Sequence, residues 1–286
     1  MAPYESLLAQ AAQARLRGDS RSAVRLHQRA TSLAPASEIP DALFAEAAAR
    51  YRAGDVPGAL QRYKSAEQNP RCRCTAILAH AIVSIPLVPE RGRFRVAASC
   101  FETAGDLDGV AQSWYEYGLA TESGAGMRNL FERALSIAQS SGNIEQQITI
   151  AAALASYMQD AGDEEAAYAS FSHAMQIADR HDLKFLSARL LSDRAQYFFD
   201  KEEFLQSEGF NGPAQMVSES AGMPWTFTRC QIRGAKLFLR MELPDKALPV
   251  LDSAREQLQQ FPNDKLAAEL ARLAEVARHS RSRPEK

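Results

Sequence analysis

Small and bulky apolar residues return along this chain at a fixed interval, about 40 residues long. Met127, Ala167, Ser207 and Ala247 stand at that spacing, as do Phe131, Phe171, Asn211 and Leu251, and again Ala134, Ala174, Ala214 and Ala254. A further column reads Tyr117, Tyr157, Tyr197 and Leu237. Apolar residues otherwise recur three and four positions apart, and no sustained alternation of period two is present, so the predicted elements are helices and not strands. Self-similarity at this period marks a stacked array, in which each repeat buries against its neighbours a face it cannot bury alone. The motif small-x-x-x-bulky-x-x-Ala then identifies the second helix of each repeat, because helices approach closely only where Ala or Gly occupies the crossing.

Toward the N-terminus the period shortens. Leu7, Ala11, Ala14, Gly18, Ala23, His27, Ala30 and Pro35 form one copy. Leu43, Ala47, Gly54, Ala59, Tyr63, Ala66 and Pro70 form a second, mostly about 36 residues later. Gly18-Asp19, Gly54-Asp55 and Gly162-Asp163 supply turns: the glycine tolerates a left-handed backbone at a helix end, and the aspartate caps the next helix. With Ala97/Phe101/Ala104 as a further second helix, seven repeats result. First helices are predicted near 4–17, 41–53, 74–85, 107–121, 145–160, 183–199 and 225–240. Second helices are predicted near 20–33, 56–68, 92–104, 127–140, 164–180, 203–219 and 244–260. Pro86 and Pro89 stop the third first helix, and the step from Ala97 to Met127 is compressed relative to the steps that follow it. After Pro262-Asn263-Asp264, a last helix near 265–278 carries Leu266, Leu270 and Leu273 on one face, as a solenoid cap would. The organisation expected is therefore an array over 2–262, a capping helix over 263–280 and a disordered basic tail over 281–286.

These residues resemble the tetratricopeptide-repeat superfamily over nearly the whole chain, with roughly 36- to 40-residue copies as in bacterial regulators, peptide sensors and signalling ATPase arrays. The resemblance implies an all-α, right-handed solenoid whose concave groove is lined by the first helices. It implies binding in place of chemistry. The carboxylate clamp of chaperone-binding members is missing, since Leu8, Ala12 and Ala45 stand where Lys and Asn are required.

Composition adds mostly exclusions. A net charge of −2 gives no push toward nucleic acid or membrane, and no apolar run reaches the roughly 18 residues of a membrane helix. The N-terminus has neither a basic nor an apolar signal region, so a cytoplasmic location is expected. Cys72, Cys74, Cys100 and Cys230 are sparse, which fits reduced, buried thiols. Cys72-x-Cys74 with His80 is too short a spacing for a structural zinc knuckle, and no metal or cofactor is expected. His27 sits in a bulky column and is expected to pack in the core.

Candidate binding residues follow from the family register. Arg229, Arg233, Lys236 and Arg240 fall at i, i+4, i+7 and i+11 of one first helix, with Arg189 in the equivalent place one repeat earlier. They form either an anion-binding end of the groove or a solvated face offset by Asp193, Asp200 and Glu242. Glutamine at Arg233 and Lys236 is expected to weaken partner binding and to leave the fold intact, because no core position is touched. Gln112, Glu116, Ser156, Gln159, Asp160, Ser192 and Gln196 would line the middle of the groove and pair with a peptide backbone, or face only water. Gly209-Phe210-Asn211-Gly212-Pro213 is expected to break a second helix, either exposing Phe210 to a partner or harmlessly.

No protease, hydrolase or nucleotide-binding signature is present. The first repeat starts at Tyr4 and a cap closes the array, so regulation is expected to act through a partner. The leading expectation is a non-catalytic scaffold or adaptor for a protein or peptide, with an anionic segment as one possible feature of the partner. The alternative is a helical-repeat enzyme acting on a small molecule through Glu116, Asp160 and Asp193 near Tyr157 or Tyr197.

Overall fold

In a computed structural model, residues 3–16, 19–85, 91–121 and 124–281 are described. They form fifteen helices and no strand. In chain order these are α1 (Pro3–Leu16), α2 (Ser20–Leu33), α3 (Ile39–Arg52), α4 (Val56–Ala66), α5 (Arg73–Ser84), α6 (Gly92–Ala104), α7 (Leu107–Leu119) and α8 (Ala125–Ser141). Then come α9 (Ile144–Asp160), α10 (Glu164–Arg180), α11 (Lys184–Asp200), α12 (Phe204–Ser220), α13 (Pro224–Arg240), α14 (Pro244–Gln260) and α15 (Asp264–Arg281). The chain divides into two compact units, Met1–Ala167 and Tyr168–Lys286, with the division inside α10.

The repeat columns are core. Ala134, Ala174, Ala214 and Ala254 are all fully buried, and so are Ala167, Ser207 and Ala247. In the first unit the core gathers Phe94, Phe101, Trp114, Phe131, Ile150 and Leu154 from successive hairpins. In the second, Leu251 and Leu258 of α14 meet Leu266, Leu270 and Leu273 of α15, so the terminal helix covers the apolar face of the last hairpin as a cap must. Burying five such leucines at roughly 1.5–3 kcal/mol each far outweighs intrinsic helix propensity.

The turns explain the period. From α8 through α14 every helix has 17 residues. All of these but α14 are followed by a left-handed residue: Gly142, Gly162, Asp182, Glu202, Gly222 and Glu242 recur at one constant step, with φ between 50° and 81°. The repeat seen in the sequence is two such steps, one for each helix of a hairpin. Glycine at three of these sites suits the conformation, whereas Asp182, Glu202 and Glu242 adopt it with a Cβ present. Asp19, Asp55, Asp106, Asn143 and Asp163 each accept a hydrogen bond from the backbone N–H three residues on, capping the next helix. Gly18, Pro86 and Pro89 lie outside the described residues, as do 282–286 of the expected tail.

Two expectations are corrected. First, α12 runs unbroken through Gly209–Pro213, because Gly209 and Pro213 fall on its exposed side, where the carbonyl that proline leaves unpaired meets water. Phe210 is accordingly not bulged out; its ring stacks on Phe198 at 5.5 Å and meets Phe171 edge-on at 5.7 Å. Second, the cysteines are not all reduced: Cys74 of α5 and Cys100 of α6 form a disulfide, because the antiparallel hairpin brings their Cα atoms to 5.4 Å. Cys72 and Cys230 are free and buried. His27 is half-buried, with its Nδ1 enclosed.

Candidate partner-binding faces

In the first unit, α7 and α9 place two of the expected groove residues in a chain of polar side chains. Gln112 Nε2 donates to Glu116 Oε1 at 2.8 Å, and Gln146 Nε2 donates to Gln112 Oε1 at 3.2 Å and to the Asp108 carbonyl at 3.0 Å. Burial pushes the Glu116 carboxyl above its ordinary value, while the Gln112 hydrogen bond pulls it back. Ser156 donates to its own helix, to the Ala152 carbonyl at 3.2 Å. Gln159 is half-buried, with its Oε1 enclosed and without a hydrogen-bond partner. The Tyr157 hydroxyl is committed to the Gly124 carbonyl at 2.8 Å, and Asp160 is exposed. Gln146 is not among the expected groove residues, and nothing in its own repeat position distinguishes it from other polar residues.

In the second unit, α11 and α13 hold the basic residues, but the stripe is not one surface. Only Arg229 and Arg240 of the four are exposed. The side chain of Lys236 is three-quarters buried, 2.5 Å from Glu269 of α15 and over the Phe199 ring. Arg233 is 3% exposed, so it is a core residue, and the expectation that substituting it touches no core position fails. The spacing correctly stacks four cations on one side of α13. What spacing could not supply is that α11 and α12 close over the middle of that side.

Arg233 is held by neutral oxygens. Its Nε donates to Gln196 Oε1 at 3.2 Å, Nη1 to Asn211 Oδ1 at 3.1 Å and Nη2 to Ser192 Oγ at 3.3 Å. Asn211 Nδ2 in turn donates to the Cys230 carbonyl at 3.1 Å. No carboxylate lies within ion-pair distance of Arg233 among the described residues. Burial accordingly pulls its pKa down, with the Cys230 thiol and Asp193 opposing. Asn211, which interrupts the apolar column, is thus an acceptor for Arg233. The signal that could have found it is that an Asn in the column and an Arg on the next helix depart from the apolar pattern together.

Arg189 and Asp193 flank this core on the exposed side of α11, 3.7 Å apart. Asp193 is 65% exposed yet has protein on several sides, and lost solvation raises its pKa against the pull of Arg189, Arg229 and Arg233. Three guanidinium groups therefore share one nearby carboxylate. Among the described residues no group of three or more His, Cys, Asp or Glu could hold a metal ion.

The sequence matches no protein-family model and no curated protein. Solved structures do match, and they define the class: this is a tetratricopeptide-repeat-like helical array. One is the signal-transduction ATPase with numerous domains from Pyrococcus horikoshii that carries a tetratricopeptide-repeat sensor, with a TM-score of 0.63 and 14% identity. That match covers 99% of this chain and 45% of the other, so the chain spans less than half of that protein. The apo form of RapI matches with a TM-score of 0.57 at 15% identity, over 97% of this chain and 98% of its own. NprR in complex with its cognate peptide NprX matches with a TM-score of 0.51 at 12% identity, over 94% of this chain and 82% of its own.

Proposed function

We propose that this chain is a non-catalytic scaffold or adaptor that holds a protein or peptide segment, and that the α11/α13 face of its second unit takes an acidic group of that segment. The observation that carries the proposal is the surplus of positive charge: Arg233 is buried among neutral oxygens, and Arg189 and Arg229 are exposed beside it with Asp193 as the shared counter-charge. An arginine fork suits a carboxylate, and Gln196 beside it offers a backbone-matching amide. The NprR complex supports peptide binding as a use of this fold. In the first unit, the Glu116–Gln112–Gln146 chain is proposed as a backbone contact, with Ser156 and Gln159 of α9 as further contacts.

The proposal needs no cofactor and no nucleic acid, since the overall charge of −2 attracts no polyanion. Among the described residues no helix is long and apolar enough to cross a membrane. A cytoplasmic setting suits the free Cys72 and Cys230, while the Cys74–Cys100 bond would be preserved better in an oxidising one. Panning a random-peptide display library against the parent and against Arg189→Gln/Arg229→Gln tests the reading. A set of acidic peptides that enriches on the parent, drops out on the variant and is weakened by salt is the expected outcome. Identical enriched sets on both, or no acidic set on the parent, overturns it.

A further inference from the structure

A recess lies in the first unit, on the α5/α6 hairpin, far along the chain from the α11/α13 face. Its volume is about 590 Å³, and it is lined by Arg73 and Ile77 of α5 and by Arg95, Val96, Cys100 and Thr103 of α6. An adjoining recess of about 480 Å³ shares Arg73, Ile77 and Val96 and continues toward Glu67 and Arg93. The two make an elongated trough with an apolar floor. Val96 is 55% exposed, on a helix whose other face is fully buried at Phe94 and Ala97. The Cys74–Cys100 disulfide fastens the two helices that form the walls.

The charges of this trough are unevenly matched. Glu67 is already consumed, with His80 Nδ1 at 2.6 Å and Arg93 at 2.8 Å from the same oxygen. Arg73 is exposed, and no hydrogen bond or ion pair engages it among the described residues. Arg95 has only the Tyr117 hydroxyl at 3.4 Å and its ring, and no carboxylate. An open, elongated apolar floor with two unmatched guanidinium groups on its wall fits an extended chain that carries both aliphatic and acidic side chains. The exposed apolar surface at Val96 favours a chain with aliphatic side chains over an unbroken run of phosphates.

We propose that the α5/α6 trough is a docking site for an acidic, aliphatic segment of a partner protein, with Arg73 and Arg95 pairing its carboxylates and Ile77 and Val96 receiving its apolar side chains. The test is fluorescence anisotropy at low salt with a short fluorescein-labelled peptide alternating leucine and glutamate, and with its lysine-for-glutamate counterpart. The parent should bind the glutamate peptide about tenfold or more tighter than the lysine peptide, and Arg73→Gln/Arg95→Gln should lose that preference. Val96→Asp, at an exposed position, should weaken binding while leaving the circular dichroism and melting of the parent. Arg189→Gln/Arg229→Gln should bind as the parent does. If the Arg73/Arg95 variant binds unchanged, or the parent does not discriminate the two peptides, the inference falls. It also falls if an oligothymidylate binds as well as the glutamate peptide. Loss of binding only in the Arg189/Arg229 variant would likewise overturn it, while leaving the proposed function standing.

Discussion

The column that holds Phe131 in the first unit holds Asn211 in the second, and the two crossings are built in different ways. Phe131 of α8 is 1% exposed and lies against Gly118 of α7, where an added Cβ would stand 2.6 Å from the ring. Tyr115 and Tyr157 face the same ring, with centroids 6.0 and 6.4 Å away. Asn211 of α12 is equally buried, but it is fixed by direction and not by volume, accepting from Arg233 and donating to the Cys230 carbonyl. Gly234 stands beside it with room to spare, since an added Cβ would meet Asn211 Nδ2 at an ordinary 3.5 Å. An aromatic ring needs only a cavity of the right size, and it tolerates small rotations of the helix. A buried guanidinium needs every acceptor in place, so the second crossing specifies its helix register more sharply and has more to lose.

The largest expected effect follows from that difference. Asn211→Leu places at this site the residue found at the equivalent Leu251, yet it removes one acceptor from a buried cation and the donor to the Cys230 carbonyl. The cost should be about 3 kcal/mol in denaturant unfolding. Arg233→Met added to the same chain removes the stranded charge, and the double variant should recover more than half of the loss. If the two substitutions simply add, Asn211 and Arg233 are not coupled and the polar crossing is only incidental.

Next in size is a matched pair of glycines. Gly118→Ala drives a Cβ into Phe131 across the α7/α8 crossing and should cost about 1–3 kcal/mol. Gly234→Ala meets nothing tighter than van der Waals contact within α13 and should stabilise by about 0.5–1 kcal/mol, the ordinary difference between Gly and Ala in a helix. Unfolding midpoints that move the same way in both variants would break the contrast between the two crossings.

The same contrast explains how much of the molecule is legible in its sequence. The columns of Ala134, Ala174, Ala214 and Ala254 are legible because close helix approach imposes a small residue at one position per repeat, and all four are fully buried. Helix ends are legible because glycine and aspartate have local chemistry of their own, as at Gly54-Asp55 and Gly162-Asp163. The state of Arg233 is not legible: periodicity places a side chain on a face, but the helix opposite decides whether that face meets water. Asn211 and Pro213 mislead for a related reason, since a polar residue and a proline are helix breakers only where no partner or solvent satisfies them. The Cys74–Cys100 pair is hidden because it depends on the geometry of one hairpin and not on cysteine spacing along the chain.

The smallest effect concerns the turns, where the two units also differ. Gly142 and Gly162 end α8 and α9 in the first unit, while in the second only α12 ends in a glycine, Gly222, and Asp182, Glu202 and Glu242 end α10, α11 and α13 with the same left-handed backbone. A residue with a Cβ loses roughly 1–2 kcal/mol in that conformation. Glycine relieves the strain but brings back about 0.5–1 kcal/mol of extra freedom in the unfolded chain. Glu202 is exposed, and its backbone N–H already bonds the Phe199 carbonyl at 3.1 Å, a bond that glycine would keep. Glu202→Gly should therefore stabilise by about 0.5–1 kcal/mol, and Gly162→Ala should destabilise by about 1 kcal/mol or more for the converse reason. Both are read as shifts of the unfolding midpoint under one set of conditions. A midpoint for Glu202→Gly at or below that of the parent would mean that the turn carries no strain for glycine to relieve, and that the two units close their helices at equal cost.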